Sequence, residues 1–286
     1  MRVLVTGAAG FTGSYVVPML LDRGVAVRCF VRPSSDTRPL PVGQVEIVHG
    51  DLDKPASFQT ALSGVDALVN LASLGFGHAD GIVAAAVKAG VRRALFMSTT
   101  AIFTHLDAAS KSVRLSAEET IRNSGLRYTV LRPTMIYGGS RDRNVWRLIR
   151  YLRRWPAVPV IGKGLQQPVY VGDVADAVTR ALLERGTVGR FYNIPGKSAL
   201  TLDQMIDEIC LAMKRRVRKV HLPGPPVAAC VAFAERFSIR LPVSSEQILR
   251  LSEDKSFDYS QAREDFGYQP RSFSEGIALE TAQFAL

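Results

Sequence analysis

Cysteine is scarce in this sequence. Cys29, Cys210 and Cys230 are the only ones in 286 residues, and they form no CxxC pair or other paired spacing. That count excludes a disulfide framework and a cysteine-based zinc site, and it points to a reducing compartment, the cytoplasm. The histidines His49, His78, His105 and His221 are scattered, and none stands beside a serine or cysteine in a nucleophile motif. Long apolar runs are missing too. The longest, Val227 to Ala234, falls far short of the roughly 18 residues a membrane-spanning helix needs, so no transmembrane segment is expected. The opening MRVLVTG reads as a strand and lacks the basic region, apolar stretch and cleavage site of a secretory signal. No short-period repeat and no low-complexity tract occurs.

What is present is an ordinary globular composition, 47% hydrophobic and 22% charged, with enough apolar residues for a sizeable core. A formal charge of +10 favours anionic partners, whether phosphorylated cofactors, acidic substrates, nucleic acid or an anionic membrane surface. Local pattern narrows this. The run KRRVRK, Lys214 to Lys219, is too short and too poor in aromatics for nucleic-acid binding, so no nucleic-acid partner is expected. From Arg143 to Trp155, Val145, Leu148, Ile149 and Leu152 form one helical stripe, with arginines on the remaining turns. The stripe reads as the packing face of a helix, and the basic face with Trp146 and Trp155 leaves peripheral membrane contact open. Asp203, Asp207 and Glu208 share one helical segment and supply no metal-ligand set, so no metal is expected.

The runs RVLVTG, VAVRCFVR, VEIVHGD, DALVNLAS, ALFMST and YTVLRP are β-branched on both faces and alternate with helical segments. This predicts an α/β fold with a doubly wound parallel sheet covered on both sides. Past Pro133 the pattern changes. Residues 1–137 are read as a dinucleotide-binding domain, rejoined by about 171–196, and residues 138–170 and 197–286 as a smaller C-terminal substrate-binding domain. In the latter, the helical segments LTLDQMIDEICLAMKR and SSEQILRLSED flank a short basic strand near Val217 to Leu222.

Gly7, Gly10 and Gly13, in TGAAGFTG, follow a strand and open a helix whose apolar face includes Val16, Val17, Leu20 and Leu21. At such a junction the first glycine permits a tight turn, the second lets backbone approach a pyrophosphate, and the third allows close helix packing. Phe11 and Thr12 complete the turn, and the helix N-terminus offers N–H groups to phosphate. Cofactor choice turns on the end of the second strand, CFVRPSS. Arg32 stands there, with Ser34, Ser35 and Arg38 close behind. Arginine suits the 2′-phosphate of NADP, whereas an acidic residue would take the ribose hydroxyls of NAD. NADP is therefore expected ahead of NAD, with Asp36 keeping the second reading open.

The order TGAAGFTG, together with GDLDKPASFQTALSGVDALVNLAS, LFMSTTAIF, YTVLRPTMIYGG, VYVGDVADAV and GRFYNIPG, resembles the short-chain dehydrogenase/reductase superfamily in its extended or atypical branch. The tail FDYSQAREDFGYQPRSFSEGI is similar to the closing segment of NAD-dependent epimerase/dehydratase-like members. The resemblance implies a Rossmann sheet. It also implies that Asp51 and Leu52 flank the adenine, that Ala72 and Ser73 line the cofactor after the fourth strand, and that Pro133 with Thr134 meets the nicotinamide end. For Asp51 a loop or helix-capping role stands beside this one.

In the catalytic members of that superfamily a Tyr handles the proton, a Lys four residues later lowers its pKa, and a Ser or Thr orients the carbonyl. Counting back from AEE, the Tyr position here falls on Ser110 and the Lys position on Arg114, and no tyrosine occurs between Phe76 and Arg127. A three-residue slip would bring in Lys111 but put Asp107 in place of the Tyr. Thr99 and Arg114 are the candidate active-site residues, with Ser98 and Thr100 as alternatives to Thr99. Tyr137, in MIYGG, is either a substitute acid or loop packing. This departure resembles NmrA-like and complex-I-subunit-like members. The leading expectation is an NADP-dependent oxidoreductase acting on an unidentified small molecule, with the positive charge suiting an anionic one. An NADPH-binding sensor or assembly protein without turnover is the rival. A sugar-nucleotide epimerase or dehydratase is a third reading, the one most damaged by loss of the tyrosine. The oligomeric state stays open.

Overall fold

The computed structural model describes residues 1–106, 109–237, 248 and 252–283. Each of the β-branched runs becomes a strand: β1 (Arg2–Thr6), β2 (Ala26–Val31), β3 (Glu46–His49), β4 (Ala67–Asn70), β5 (Arg93–Met97) and β6 (Tyr128–Pro133). Helices α1 (Gly13–Leu21), α2 (Pro55–Ala61), α3 (Ala79–Lys88) and α4 (Ala109–Arg122) connect them. Further along lie α5 (Val145–Arg154), α6 (Val171–Leu183), α7 (Leu202–Ala212) and α8 (Gly224–Arg236). By its internal contacts the chain divides into two compact units. The first is Met1–Pro133, Val171–Ile194 and Tyr259–Gln269, and the second is Thr134–Tyr170, Pro195–Asp258 and Pro270–Leu286.

The first unit is built on a seven-stranded sheet in the order Arg190–Ile194, β6, β5, β4, β1, β2, β3. Every pairing is parallel. Strand side chains alternate between faces. Leu4, Leu68, Phe96 and Val130 join Phe58, Ile82, Ala86, Ala117 and Ile121 in the core beneath α2, α3 and α4. On the other face α1 packs beside α6, burying Val16, Val17 and Leu20 against the alanine- and valine-rich surface of α6. Each such fully buried side chain contributes about 1.5–3 kcal/mol. Cys29 lies within β2, and burial pushes its thiol up to about 12.

Two half-buried cations fix the sheet to its helices. Arg93 donates to the carbonyls of Arg127 (2.8 Å) and Ala181 (2.9 Å) and to the hydroxyls of Thr129 (2.6 Å) and Thr187 (2.7 Å). Its burial lowers the guanidinium to about 10. Arg132 of β6 forms a two-pronged pair with Glu118 of α4, with Nε donating at 3.0 Å, and stacks on Phe191. That pair sets the rotation of α4 one turn beyond Arg114.

The second unit uses two-stranded pieces: Ile136–Tyr137 with Val169–Tyr170, Leu165–Gln166 with Leu200–Thr201, and Ala157–Ile161 with Arg218–Leu222. The helix expected from Arg143 starts at Val145, because the Asp142 carboxylate accepts from the N–H groups of Asn144 (2.7 Å) and Trp146 (2.9 Å) and so caps it. Its stripe packs as expected, with Val145, Ile149 and Leu152 buried. Tyr137 is packing. Its hydroxyl donates to the Phe273 carbonyl at 3.3 Å and its ring meets Tyr170 and Phe273. The helix expected over Ser244 to Asp254 lies largely outside the described residues.

Glu280, on the terminal helix Phe273–Ala282, is fully buried. Burial, reinforced by the nearby charge of Asp142, raises its pKa to about 8, and the Gly139 amide offsets this only in part. Between an unfolded value near 4.5 and the folded value near 8, the unfolded chain releases this proton while the fold keeps it. Stability therefore falls as pH rises through that window, by up to about 1.4 kcal/mol per unit from this group. Glu280→Gln is expected to flatten that decline, which urea midpoints taken across the window would measure.

Candidate functional site

The site is assembled at the carboxyl edge of the sheet, where strand order reverses beside β1 and parallel α/β folds bind ligands. The turn from β1 into α1 is closed by the Gly10 N–H donating to the Gly7 carbonyl at 2.9 Å. Gly7 has φ of +66°, a left-handed conformation that disfavours any side chain. A Cβ at Gly10 would stand 2.9 Å from the Gly7 oxygen, and one at Gly13 would overlap the carbonyls of both Gly7 and Ala8. Backbone thus crosses backbone with no space for substituents. Thr12, the residue preceding α1, makes no side-chain cap, and the first turn of α1 carries no acidic residue. The Ser14 and Tyr15 amides of that turn donate to the Gly10 (3.0 Å) and Thr12 (3.1 Å) carbonyls, and the positive end of the helix dipole faces the glycine turn with no carboxylate to offset it. Phe11 sits in the same turn with its ring edge-on to Tyr15.

Beneath the turn lies a polar lock that sequence reading missed. Thr6 Oγ1 donates to Asn70 Oδ1 at 2.6 Å, Asn70 Nδ2 donates to the Ala72 carbonyl at 3.0 Å, and the Ala72 N–H reaches back to Thr6 Oγ1 at 3.4 Å. Thr6 and Asn70 are almost fully buried. The signal was an asparagine ending an otherwise apolar central strand, since a buried polar side chain demands partners. The lock joins the ends of β1 and β4 and sets Ala72 directly under Gly7, where a Cβ would be 3.1 Å from the Ala72 nitrogen.

On one side of this centre, the Gly50 N–H donates to the Val31 carbonyl at 2.9 Å, which places the chain after β2 beside the chain after β3. Arg32 is exposed there, and among the described residues its side chain has no partner. Asp36 is engaged by Arg38 through Nε (2.9 Å) and Nη2 (2.8 Å). Asp51 Oδ1 accepts from the Asp53 N–H at 3.2 Å in the turn that leads into α2, and Leu52 packs against the core.

On the other side, Ser73 Oγ accepts from the Gly75 N–H at 3.2 Å and Thr99 Oγ1 from the Ala101 N–H at 3.2 Å, each starting a short 3-10 turn after its strand. Thr100 Oγ1 donates to the Pro133 carbonyl at 3.4 Å. Ser98 Oγ is buried without a partner. Ser110 and Arg114 come together: Arg114 Nη1 donates to Ser110 Oγ at 2.6 Å. The guanidinium lies on Gly75, where a Cβ would be 3.1 Å from its Cζ, Nε and Nη2. The bare α-carbon of Gly75 thus makes room for Arg114, a second contact that sequence reading missed. Lys111 is tied to the Thr104 carbonyl at 2.6 Å, and Asp107 lies outside the described residues. Among the described residues no group of acidic, histidine or cysteine side chains is arranged to hold a metal, and no helix is long and apolar enough to cross a membrane.

A protein family described as NAD(P)H-binding matches residues 7–185, which takes in the glycine turn, the Thr6-supported edge, Arg32 and α4. The chain belongs to this NAD(P)H-binding family. Quinone oxidoreductase 2 of Escherichia coli is 26% identical over 245 residues, 80% of this chain and 80% of its own length. Subunit 9 of the Arabidopsis thaliana mitochondrial NADH dehydrogenase (ubiquinone) 1 alpha subcomplex is 28% identical over 274 residues, 87% of this chain and 67% of that protein. Among solved structures, an NADPH-dependent quinone oxidoreductase from Escherichia coli shares the fold with a TM-score of 0.77 and 23% identity, over 99% of both chains. In this NAD(P)H-binding protein the glycine cradle and the uncapped α1 fit a dinucleotide diphosphate.

Gly13→Ala is expected to lower affinity for both NADH and NADPH by at least about tenfold, because its methyl displaces the cradle by a shift worth about 1.4 kcal/mol or more. Thr6→Val, which strands the Asn70 carbonyl, should lower unfolding free energy by about 1–3 kcal/mol. Fluorescence titration and urea denaturation, respectively, check the two.

Proposed function

We propose that the protein is an NADPH-dependent oxidoreductase that reduces an electron-poor conjugated carbonyl of the quinone class. The observation that carries this is the Ser110–Arg114 pair in the place of a tyrosine–lysine pair. A serine hydroxyl is a far weaker acid than a phenol, and guanidinium stays charged to above about 12, so neither hands over a proton near neutral pH. NADPH, when bound, supplies a hydride. A quinone that accepts it becomes a hydroquinone anion, stable enough to take its second proton from water, so the balanced reaction consumes quinone, NADPH and one proton. A simple ketone would become an alkoxide and need an acid at hand. The name of the Escherichia coli quinone oxidoreductase 2 that is similar to this chain supports the same substrate class.

Arg32 supports NADPH over NADH: it is exposed at the end of β2, whereas Asp36, four residues on, is occupied by Arg38. Its guanidinium would pair with the 2′-phosphate. Gly7, Gly10 and Gly13, with Phe11 and Thr12, would hold the diphosphate. Asp51 and Leu52 would border the adenine, and Ala72, Ser73 and Pro133 the nicotinamide half. Thr99 would hydrogen-bond the substrate carbonyl, and Arg114, placed by Gly75, would stabilise the anion formed there.

NADPH oxidation assayed with a benzoquinone, an enone and a simple ketone is expected to proceed with the quinone and fail with the ketone. Arg32→Glu should weaken NADPH by about 10–100-fold, the worth of a charge-assisted hydrogen bond, and leave NADH little changed. Ser110→Ala should slow quinone turnover by less than about tenfold, whereas loss of a true general acid costs about 10²–10⁴-fold. Turnover of ketones alone would overturn the assignment. Tight NADPH binding with no oxidation by any acceptor would favour a cofactor sensor.

A further inference from the structure

The second unit sorts its charges by direction. On the strand Arg218–Leu222, Lys219 and His221 face carboxylates: Lys219 Nζ lies 2.6 Å from Asp203 and 2.8 Å from Asp207, and His221 Nε2 lies 2.7 Å from Asp203. The opposite strand face carries Arg218, Val220 and Leu222, all exposed. Along α5, once Val145, Ile149 and Leu152 are buried, Arg143, Arg147, Arg150, Arg153 and Arg154 all point outward. Lys214, Arg215 and Arg216 are exposed too. These segments adjoin at two points. Arg153 and Arg215 line the same hollow of about 630 Å³, and the Arg218 N–H donates to the Pro156 carbonyl at 2.8 Å. No acidic residue occurs in 143–158 or 209–218, and among the described residues Arg147, Arg150, Arg215 and Arg216 have no ion-pair partner.

Apolar groups are set among these cations. Trp155 is 49% exposed, with Arg154 over its ring at 5.7 Å and Tyr151 beside it. Val220 and Leu222 are 42% and 38% exposed and extend the strand face that Arg218 begins. Lys214, just past α7, has φ of +52°, a left-handed conformation usually given to glycine at that place. A charged side chain is retained there against backbone preference.

We propose that this face docks on an anionic phospholipid surface, with the arginines and lysine on the headgroups and Trp155, Val220 and Leu222 entering the interface. Amphipathic aromatics beside long cationic side chains suit a boundary that is polar on one side and apolar on the other. Single-stranded nucleic acid would instead ask for open ring faces on which bases stack, and the face of Trp155 is covered by Arg154. This inference is independent of the cofactor and substrate readings.

The test is cosedimentation of the full chain with vesicles of phosphatidylcholine alone or mixed with phosphatidylglycerol, with thermal melts as the control for folding. The protein is expected to partition at least about tenfold more strongly onto the anionic vesicles and to be released by salt. The triple variant Arg150→Glu, Arg154→Glu, Arg215→Glu should lose that preference. Lys214→Gly should bind more weakly while melting at a higher temperature, which separates docking from folding if the triple variant proves unstable. In a Trp146→Phe background, Trp155 emission should shift to shorter wavelength on the anionic vesicles. Equal partition onto both vesicle types, an unchanged triple variant, an unshifted Trp155, or displacement from vesicles by a single-stranded RNA homopolymer would each overturn the proposal.

Discussion

The carboxyl edge of this sheet depends on backbone passing close against backbone between β1 and α1, which glycine permits at the points of contact. Between β1 and α1 the backbone crosses itself closely enough that the carbonyls of Gly7 and Ala8 fill the space a methyl at Gly13 would need. Everything else at the edge is arranged around that crossing. The Thr6–Asn70–Ala72 lock fixes the neighbouring strand end beneath it, and α6 backs α1 from the far face. Because the lock is buried, its hydrogen bonds are protected from competing water and its geometry is narrow.

The same edge shows a substitution of chemistry on an unchanged frame. Glu118 pairs with Arg132 and so sets α4 against β6, and Arg114 one turn earlier is carried to the loop after β4, where Gly75 gives it room. A positive charge thus stands near the edge, held by Ser110 and Gly75. Electrostatic stabilisation of a developing anion and proton transfer are separable contributions, and the proposed function asks only the first of Arg114.

Much of this was legible in the residues. The glycine spacing, the doubly buried strands and the stripe of α5 are local patterns, and local patterns survive folding when nothing opposes them. The positions of Ser110 and Arg114 came instead from the family resemblance, counted back from AEE. What was hidden depends on long-range pairing. Asn70 meets Thr6 across 64 residues, and no sequence window contains both. Gly75 looks like a loop glycine until Arg114 arrives from another helix. Asp142 reads as one more loop acid, yet it accepts the amides that start α5 and moves the start of the helix to Val145. Tyr137 had two readings, and only its burial against Phe273 separates them.

The three thiols form a graded series. Cys230 is exposed on α8, Cys210 is half-buried on α7, and Cys29 is fully enclosed within β2 with its pKa pushed up to about 12. An alkylating reagent that requires thiolate would consume the first at once and the second more slowly, and it would reach the third only when the central strands part. The molecule therefore carries its own clock for the opening of the nucleotide-binding sheet, readable by mass spectrometry of the alkylated chain without any engineered probe.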